Sequence, residues 1–237
     1  PHHENEIAQS ECCNGAPFAR YWMHNGYINV DNRKMSKSLN NFFTVRDVAE
    51  QFGYEPIRYL MVASHYRSPI NYSVEVIEQC RASLERLYNC RDNLEFLLSH
   101  GEDGENEGEQ EIRARLAQYR QAFVDAMEDD LNTADALSVL FDLARDINTS
   151  LTAASCPSRG LCQYALDLYL ELAGVLGLLY RRTQDSLDAE VEALIAQRAE
   201  ARKNKDWAAA DRIRDELKAR HIVLEDTPQG VKWRLEQ

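Results

Sequence analysis

Apolar positions change their period along the chain, and each change marks a segment. Val74, Ile77, Ala82, Leu84, Leu87, Leu94 and Leu98 recur at near-helical spacing, which predicts one long amphipathic helix from Val74 to Leu98 that stops at Gly101. Helical patterns resume over Glu111–Met127, Thr133–Leu151 and about Leu161–Tyr180, broken by CPSRG and QDSLD, and predict antiparallel helices joined by short turns. Upstream, Thr44 is a candidate N-cap with Asp47 as its partner three residues on, and Phe52-Gly53 closes that helix. Pro56 opens the next helix in its first turn, and Tyr59, Leu60, Met61 and Val62 form its apolar side. His2–Gln9 reads as a helix, YWMHNGYINV (21–30) as a strand and DNRKMSKSLNN (31–41) as a polar loop. At the far end, Ala189–Asn204 and Trp207–Arg220 read as helices, the second capped by Asp206. HIVLED and VKWRL read as two short strands around TPQG.

Composition narrows the class. A chain of 237 residues that is 44% hydrophobic and 28% charged has the make-up of a soluble globular protein. No run approaches the roughly 18 apolar residues of a membrane span, and no leader pattern opens the chain. The formal net charge of −12 argues against a surface that binds nucleic acid everywhere. The charge is uneven, however. Residues 198–237 hold 10 Lys+Arg and 8 Asp+Glu, a net of +2, which leaves 17 and 31, a net of −14, for the rest. The tail is where contact with a polyanion is electrostatically least opposed. GEDGENEGEQ (101–110) reads as an acidic, solvated linker. The six cysteines include no C-x-x-C pair, which fits a reducing cytoplasm, and adjacent Cys12 and Cys13 are better read as buried thiols than as ligands.

The most specific chemistry is Lys34-Met35-Ser36-Lys37-Ser38. Two lysines flanking a serine in a polar loop can face one anion, and such a loop suits a triphosphate whose charge moves onto leaving pyrophosphate. The pentapeptide, followed by Leu39, resembles the signature loop of class I aminoacyl-tRNA synthetases, which activate an amino acid with ATP and esterify it to tRNA. The resemblance implies that Lys37 contacts ATP and that Lys34 helps stabilise the pyrophosphate-leaving transition state, with Mg²⁺ accompanying the nucleotide. Asn40 departs from the family's usual glycine, but Asn also tolerates positive φ. In PHHENEIAQS, His2 and Glu6 lie four apart on one helix face and can grip one metal, or can simply be a polar helix start. The string resembles the cysteinyl-tRNA synthetase segment that gives two zinc ligands. In that family two preceding cysteines complete the site, and the zinc takes the thiolate of substrate cysteine. Zinc prefers sulfur, so serine is excluded.

The same family resemblance extends along the chain. HYRSPINYS (65–73) resembles a segment that contacts the tRNA inner elbow, where Arg67 meets either a phosphate or a surface carboxylate. MEDDLNTADALSVLF (127–141) resembles the start of a helical bundle, its acids read as caps around Asn132-Thr133. DWAAAD and EDTPQG resemble a small anticodon-binding domain. Carried over by position, Arg202, Trp207, Asp211 and Asp226 would meet anticodon bases, Trp207 by stacking and the others at base edges. Core packing is the other reading of Trp207.

The expected fold is mainly α: the end of a Rossmann-type α/β catalytic domain (1–44, with the zinc-ligand helix and KMSKS), a helical stem-contact region and linker (45–110), a helical bundle (111–185) and a helix–β-hairpin anticodon domain (186–237). The resemblance further implies a carboxy-terminal part of a monomeric cytoplasmic cysteine–tRNA ligase, inactive without the first half of its catalytic domain. The substrates would be ATP, cysteine and cysteine tRNA. Two other functions fit some of the motifs: a cysteine ligase acting on a small amino-sugar acceptor, which the basic tail argues against, and a non-catalytic tRNA-binding module, which KMSKS argues against.

Overall fold

The structure is a computed structural model that describes all residues except 37–40, 42, 153–154, 181–184, 204–205, 220–221, 228–229 and 236–237. The described residues are mainly helical. The first helix, α1 (His2–Asn14), ends at Gly15 in the left-handed conformation at φ 61° and buries none of its residues. The chain then turns back over the first turn of α1. Phe18 meets Trp22 edge-on, and His3 stacks on His24 with ring centroids 4.8 Å apart. The expected strand over 21–30 shrinks to β1 (Ile28–Val30). Tyr21 and Met23 stay exposed, and the chain joins a sheet only from Gly26, whose N–H donates to Tyr66 O at 2.7 Å.

The polar loop begins as a strand too. Asp31 and Asn32 both have positive φ, 49° and 59°, and Val30 pairs with Arg33 across them. Two residues that tolerate left-handed backbone make the tight turn whose twist suits a hairpin. The result is β2 (Arg33–Lys34), antiparallel to β1. On its other side β1 runs parallel to β3 (Ile70–Tyr72), Ile28 opposite Ile70. The small sheet therefore draws on both sides of the pattern change at Thr44. Between its strands lie α2 (Val45–Phe52) and α3 (Tyr54–Val62). Thr44 and Asp47 form the expected capping box, and its hydrogen bonds hold the Asp47 carboxyl below its ordinary range.

The long helix α4 (Val74–His100) starts at the Ser73 cap. It packs with α5 (Glu109–Glu128), α6 (Thr133–Ser150) and α7 (Arg159–Val175) around one core, which includes Ile77, Leu84, Leu87, Leu116, Leu140 and Tyr169. Each fully buried leucine of this kind contributes about 2 kcal/mol of transfer free energy. The Tyr169 hydroxyl donates to Leu87 O at 3.1 Å, so the one polar atom of that ring is satisfied.

Two sequence expectations change here. Residues 101–110 are not wholly solvated. Arg159 N donates to Glu102 O at 2.9 Å, and Glu109 opens α5 at 4% exposure. Burial pushes the Glu109 carboxyl up, but hydrogen bonds from the Ser158 N–H and hydroxyl and from Asn106 outweigh it, so the acid is held below its ordinary range. The third bundle helix stops at Val175 instead of Tyr180. Gly177, at φ 67°, ends it in a Schellman turn, with Leu178 N donating to Ala173 O and Gly177 N to Gly174 O.

The tail forms a second, smaller unit. Helices α8 (Asp185–Lys203) and α9 (Trp207–Ala219) pack with the hairpin of β4 (Ile222–Thr227) and β5 (Gly230–Leu235). Val191, Leu217 and Ile222 make its core. The expected Asp206 cap is present, accepting from Ala209 N at 3.0 Å.

Candidate functional site

The hairpin turn at Asp31-Asn32 places Lys34 on β2, exposed, immediately before the KMSKS loop. The start of that loop is clamped by a residue that sequence reasoning did not single out. Asn41 Oδ1 accepts from Ser36 N at 2.9 Å, and its Nδ2 donates to Lys34 O at 3.2 Å. One side chain from just beyond the signature loop thus holds Lys34 and Ser36 together. Lys37, the expected ATP contact, and Asn40, in the glycine position, lie outside the described residues. The hairpin is braced from the far side by Asn71, whose Oδ1 accepts from Asn32 N at 2.6 Å. Nothing in the spelling NN or INY marks these two asparagines. Their role follows from register, which a single sequence does not show.

HYRSPINYS is therefore the brace of this hairpin. Ser68 presses so closely on Gly26 that a Cβ there would lie 2.3 Å from Ser68 O. The same segment also reaches the bundle. Arg67 Nη2 lies 2.9 Å from Asp130 Oδ2, Tyr66 donates its hydroxyl to Asp130 Oδ1 at 2.8 Å, and His65 Nε2 is 3.6 Å away. Of the two readings of Arg67, the structure has the ion pair. The acids after Met127 divide between two roles. Asn132 caps α6 and Asp135 supports it, whereas Asp130 is not a cap but the partner of the 65–67 segment.

His2 and Glu6 are both exposed on α1, one turn apart. Among the described residues no group of three or more His, Cys, Asp or Glu is placed to hold a metal. His2 and Glu6 give two donors where a closed zinc site needs four, so these residues do not make a zinc site by themselves. Cys12 and Cys13, expected to be buried thiols, are exposed, because α1 packs on nothing that would cover them.

In the tail, Trp207 begins α9 with 60% of its surface exposed, so it is not a core residue. Asp211, one turn on, is exposed and lies 3.1 Å from Arg214. Arg202 is exposed near the end of α8. Asp226 sits on β4 opposite Val231, its side chain outside the described residues.

Three family models match the chain in order. Residues 1–82 match the tRNA synthetases class I (C) catalytic domain, 122–180 the DALR domain and 184–234 the cysteinyl-tRNA ligase anticodon binding domain. Among solved structures, the Agrobacterium radiobacter LeuRS in its ternary complex with tRNA and LeuAMS is similar at 24% identity and a TM-score of 0.50, over 65% of this chain. That likeness is one of fold. This chain spans 22% of the length of that one.

Proposed function

A chain that carries these three modules in this order belongs to the cysteinyl-tRNA synthetase family, and we propose that it serves the ATP-dependent attachment of cysteine to its tRNA through a cysteinyl-adenylate. The carrying observation is the conjunction, on one chain, of a KMSKS loop clamped by Asn41 with an anticodon-binding tail that exposes Trp207. In the first step the cysteine carboxylate attacks the α-phosphorus of ATP and pyrophosphate leaves. Negative charge grows on the leaving group, and Lys34 and Lys37 are the cations proposed to meet it. A charge-assisted contact that strengthens in the transition state is worth roughly 2–4 kcal/mol. The Asn41 side chain holds the backbone of Lys34 and Ser36, the start of the loop. Mg²⁺ would accompany ATP. His2 and Glu6 are the two donors this chain offers a zinc ion.

Arg202, Trp207, Asp211 and Asp226 are the proposed anticodon contacts. An exposed indole at the start of a helix is available to stack on a splayed base, and a carboxylate one turn on can read a base edge beside it. This tail is also what disfavours a small amino-sugar acceptor, which has no anticodon to read.

The test is cysteine-dependent ATP–pyrophosphate exchange and tRNA charging by the full translation product of the gene. Exchange should require cysteine and ignore serine, and charging should require the cysteine tRNA. Lys37→Ala should lower exchange about 10²–10³-fold and leave tRNA affinity unchanged. Exchange without charging of any tRNA would sink the tRNA reading in favour of a small acceptor. Binding of tRNA without exchange would reduce the protein to an RNA-binding module.

A further inference from the structure

The place where the chain leaves the bundle is held with more constraint than packing requires. The Schellman turn at Gly177 is followed by Leu179, which is itself left-handed at φ 59°, a conformation that a leucine adopts at a cost. Leu176, Leu178 and Leu179 are all buried. What holds the Leu179 backbone comes from another module. The Glu55 carboxylate, 2% exposed at the start of α3, accepts from Leu179 N at 2.7 Å and from the Tyr88 hydroxyl of α4 at 2.8 and 3.0 Å. A buried carboxylate taking a backbone N–H makes a strong, directional bond. Arg58, one turn further along α3, lies across Gly177, and a Cβ on that glycine would come within 3.0–3.1 Å of the guanidinium and its stem.

Glu55 and Arg58 belong to the part that matches the catalytic domain. Gly177 and Leu179 close the part that matches the DALR domain, and the anticodon-binding match starts at residue 184. Tyr180 and Asp185 are five residues apart in sequence, so they are at most roughly 18 Å apart in space. The direction in which the chain leaves at Leu179 therefore limits where the tail can be.

We propose that Glu55, with Arg58 and Gly177, is a positioning joint: it locks the bundle exit to α3 so that the KMSKS module and the tail are presented to one RNA within a limited span. The joint rests on the functional reading above, in which the tail takes the anticodon and the catalytic part takes the end of the same tRNA that is charged. Neither Glu55 nor Gly177 touches RNA in this account. Their contribution is to affinity through geometry. Two contacts on one ligand reinforce each other only while their spacing is maintained, and linkage of that kind contributes on the order of a hundredfold or more.

The experiment compares two RNAs, an intact cysteine tRNA and its isolated anticodon stem-loop, bound to the wild-type protein and to Glu55→Ala, Gly177→Val and Tyr88→Phe. Binding is measured well below each variant's melting temperature. The stem-loop reaches only the tail, so its affinity should stay within about twofold in every variant. Intact tRNA should bind about tenfold more weakly to Glu55→Ala and to Gly177→Val, a partial loss of the linkage gain. Tyr88→Phe removes a second donor to the carboxylate but leaves the Leu179 bond, and should bind both RNAs like wild type. If Glu55→Ala does not fold, Gly177→Val carries the test. Unchanged binding of intact tRNA by the folded joint variants overturns the proposal. So does equal weakening of both RNAs, or an effect of Tyr88→Phe as large as that of Glu55→Ala, since each points to general loosening. A wild-type protein that binds neither RNA overturns the functional reading, and the joint with it.

Discussion

Gly26→Ala should loosen the hairpin that carries Lys34, and the size of the effect follows from the geometry. Gly26 is not required for its backbone angle but for space. An added methyl would stand 2.3 Å from Ser68 O, 2.5 Å from Ser68 C and 2.9 Å from Pro69 N, all backbone atoms that cannot rotate away. The turn at 66–69 must therefore retreat from the chain before β1. Retreat strains or breaks Gly26 N–H to Tyr66 O at 2.7 Å and Ile70 N–H to Tyr27 O at 2.9 Å. Two backbone hydrogen bonds at about 1 kcal/mol each, with about 1–3 kcal/mol for overpacking, predict a loss of about 3–5 kcal/mol. At about 2–4 °C per kcal/mol for a chain of this size, the melting temperature should fall by about 6–20 °C. Hydrogen exchange at the Gly26-position and Ile70 amides should accelerate in step. Gly15→Ala is the control, because Gly15 has a positive φ but nothing within 4 Å of an added Cβ, so only about 1–2 kcal/mol of backbone strain is expected. A Gly26→Ala protein that melts within about 1 °C of wild type, with both amides still protected, would refute the close approach of Ser68 and the bracing argued from it.

Trp207→Ala should weaken tRNA binding by roughly 1–3 kcal/mol, the value of one base–aromatic stack, and lower stability by less than the about 3–5 kcal/mol of a core tryptophan; a large stability loss with unchanged RNA affinity would reverse the assignment. Asp130→Asn keeps a residue that tolerates φ 58° and removes the charge that neutralises Arg67, so tRNA binding should strengthen and its log–log salt slope steepen by about 1. An unchanged slope would place the RNA elsewhere. Asp146 is held below its ordinary range, first by hydrogen bonds from Arg115, against the upward push of burial, and further by Ser150 and Tyr119. The folded state thus binds that proton less readily than the unfolded chain. The stabilisation is present at neutral pH and drains away as pH falls from about 4 through the depressed folded value. Asp146→Asn should flatten the acid limb of melting temperature against pH, and a limb of unchanged slope would remove the pair from acid stability. Zinc should be lost from these 237 residues on gel filtration, since His2 and Glu6 leave two positions to water, whereas one retained equivalent, lost on His2→Ala, would reveal further donors.

What the sequence made legible was what local chemistry encodes. Thr44 with Asp47, and Asp206, are caps that need only their own next turn, and the bundle helices follow from the apolar period alone. The sheet was not legible for the complementary reason. β1 has three residues and β2 two, too short for alternation to register, and β3 lies some forty residues beyond its parallel neighbour. Parallel pairing leaves no turn signature. The same distance hid the functional partners. Asp130 looked like one cap acid among four, because its partners Tyr66 and Arg67 are more than sixty positions away. Glu55 drew no reading from the sequence, because the amide it holds is 124 positions on. The exposure of Trp207 was undetermined by pattern, since an aromatic at the start of an amphipathic helix can turn either way.

These long-range contacts join into one mechanical route. Lys34 sits on a strand whose turn is held by Asn71 of the next strand over, and the segment running into that strand is pinned by Asp130 to the α5–α6 turn of the bundle. The Asp130 end of the route is weak. Its carboxylate and Arg67 are both well exposed, so the pair is worth at most about 1 kcal/mol. The Glu55 end is buried and rigid. The ATP chemistry proposed above asks for freedom on the side of Lys34 and a fixed reference on the other. The two ends differ in that sense: the Asp130 end is held by exposed polar contacts from Arg67 and Tyr66, whereas α3 and the bundle exit are held by the buried Glu55 carboxylate.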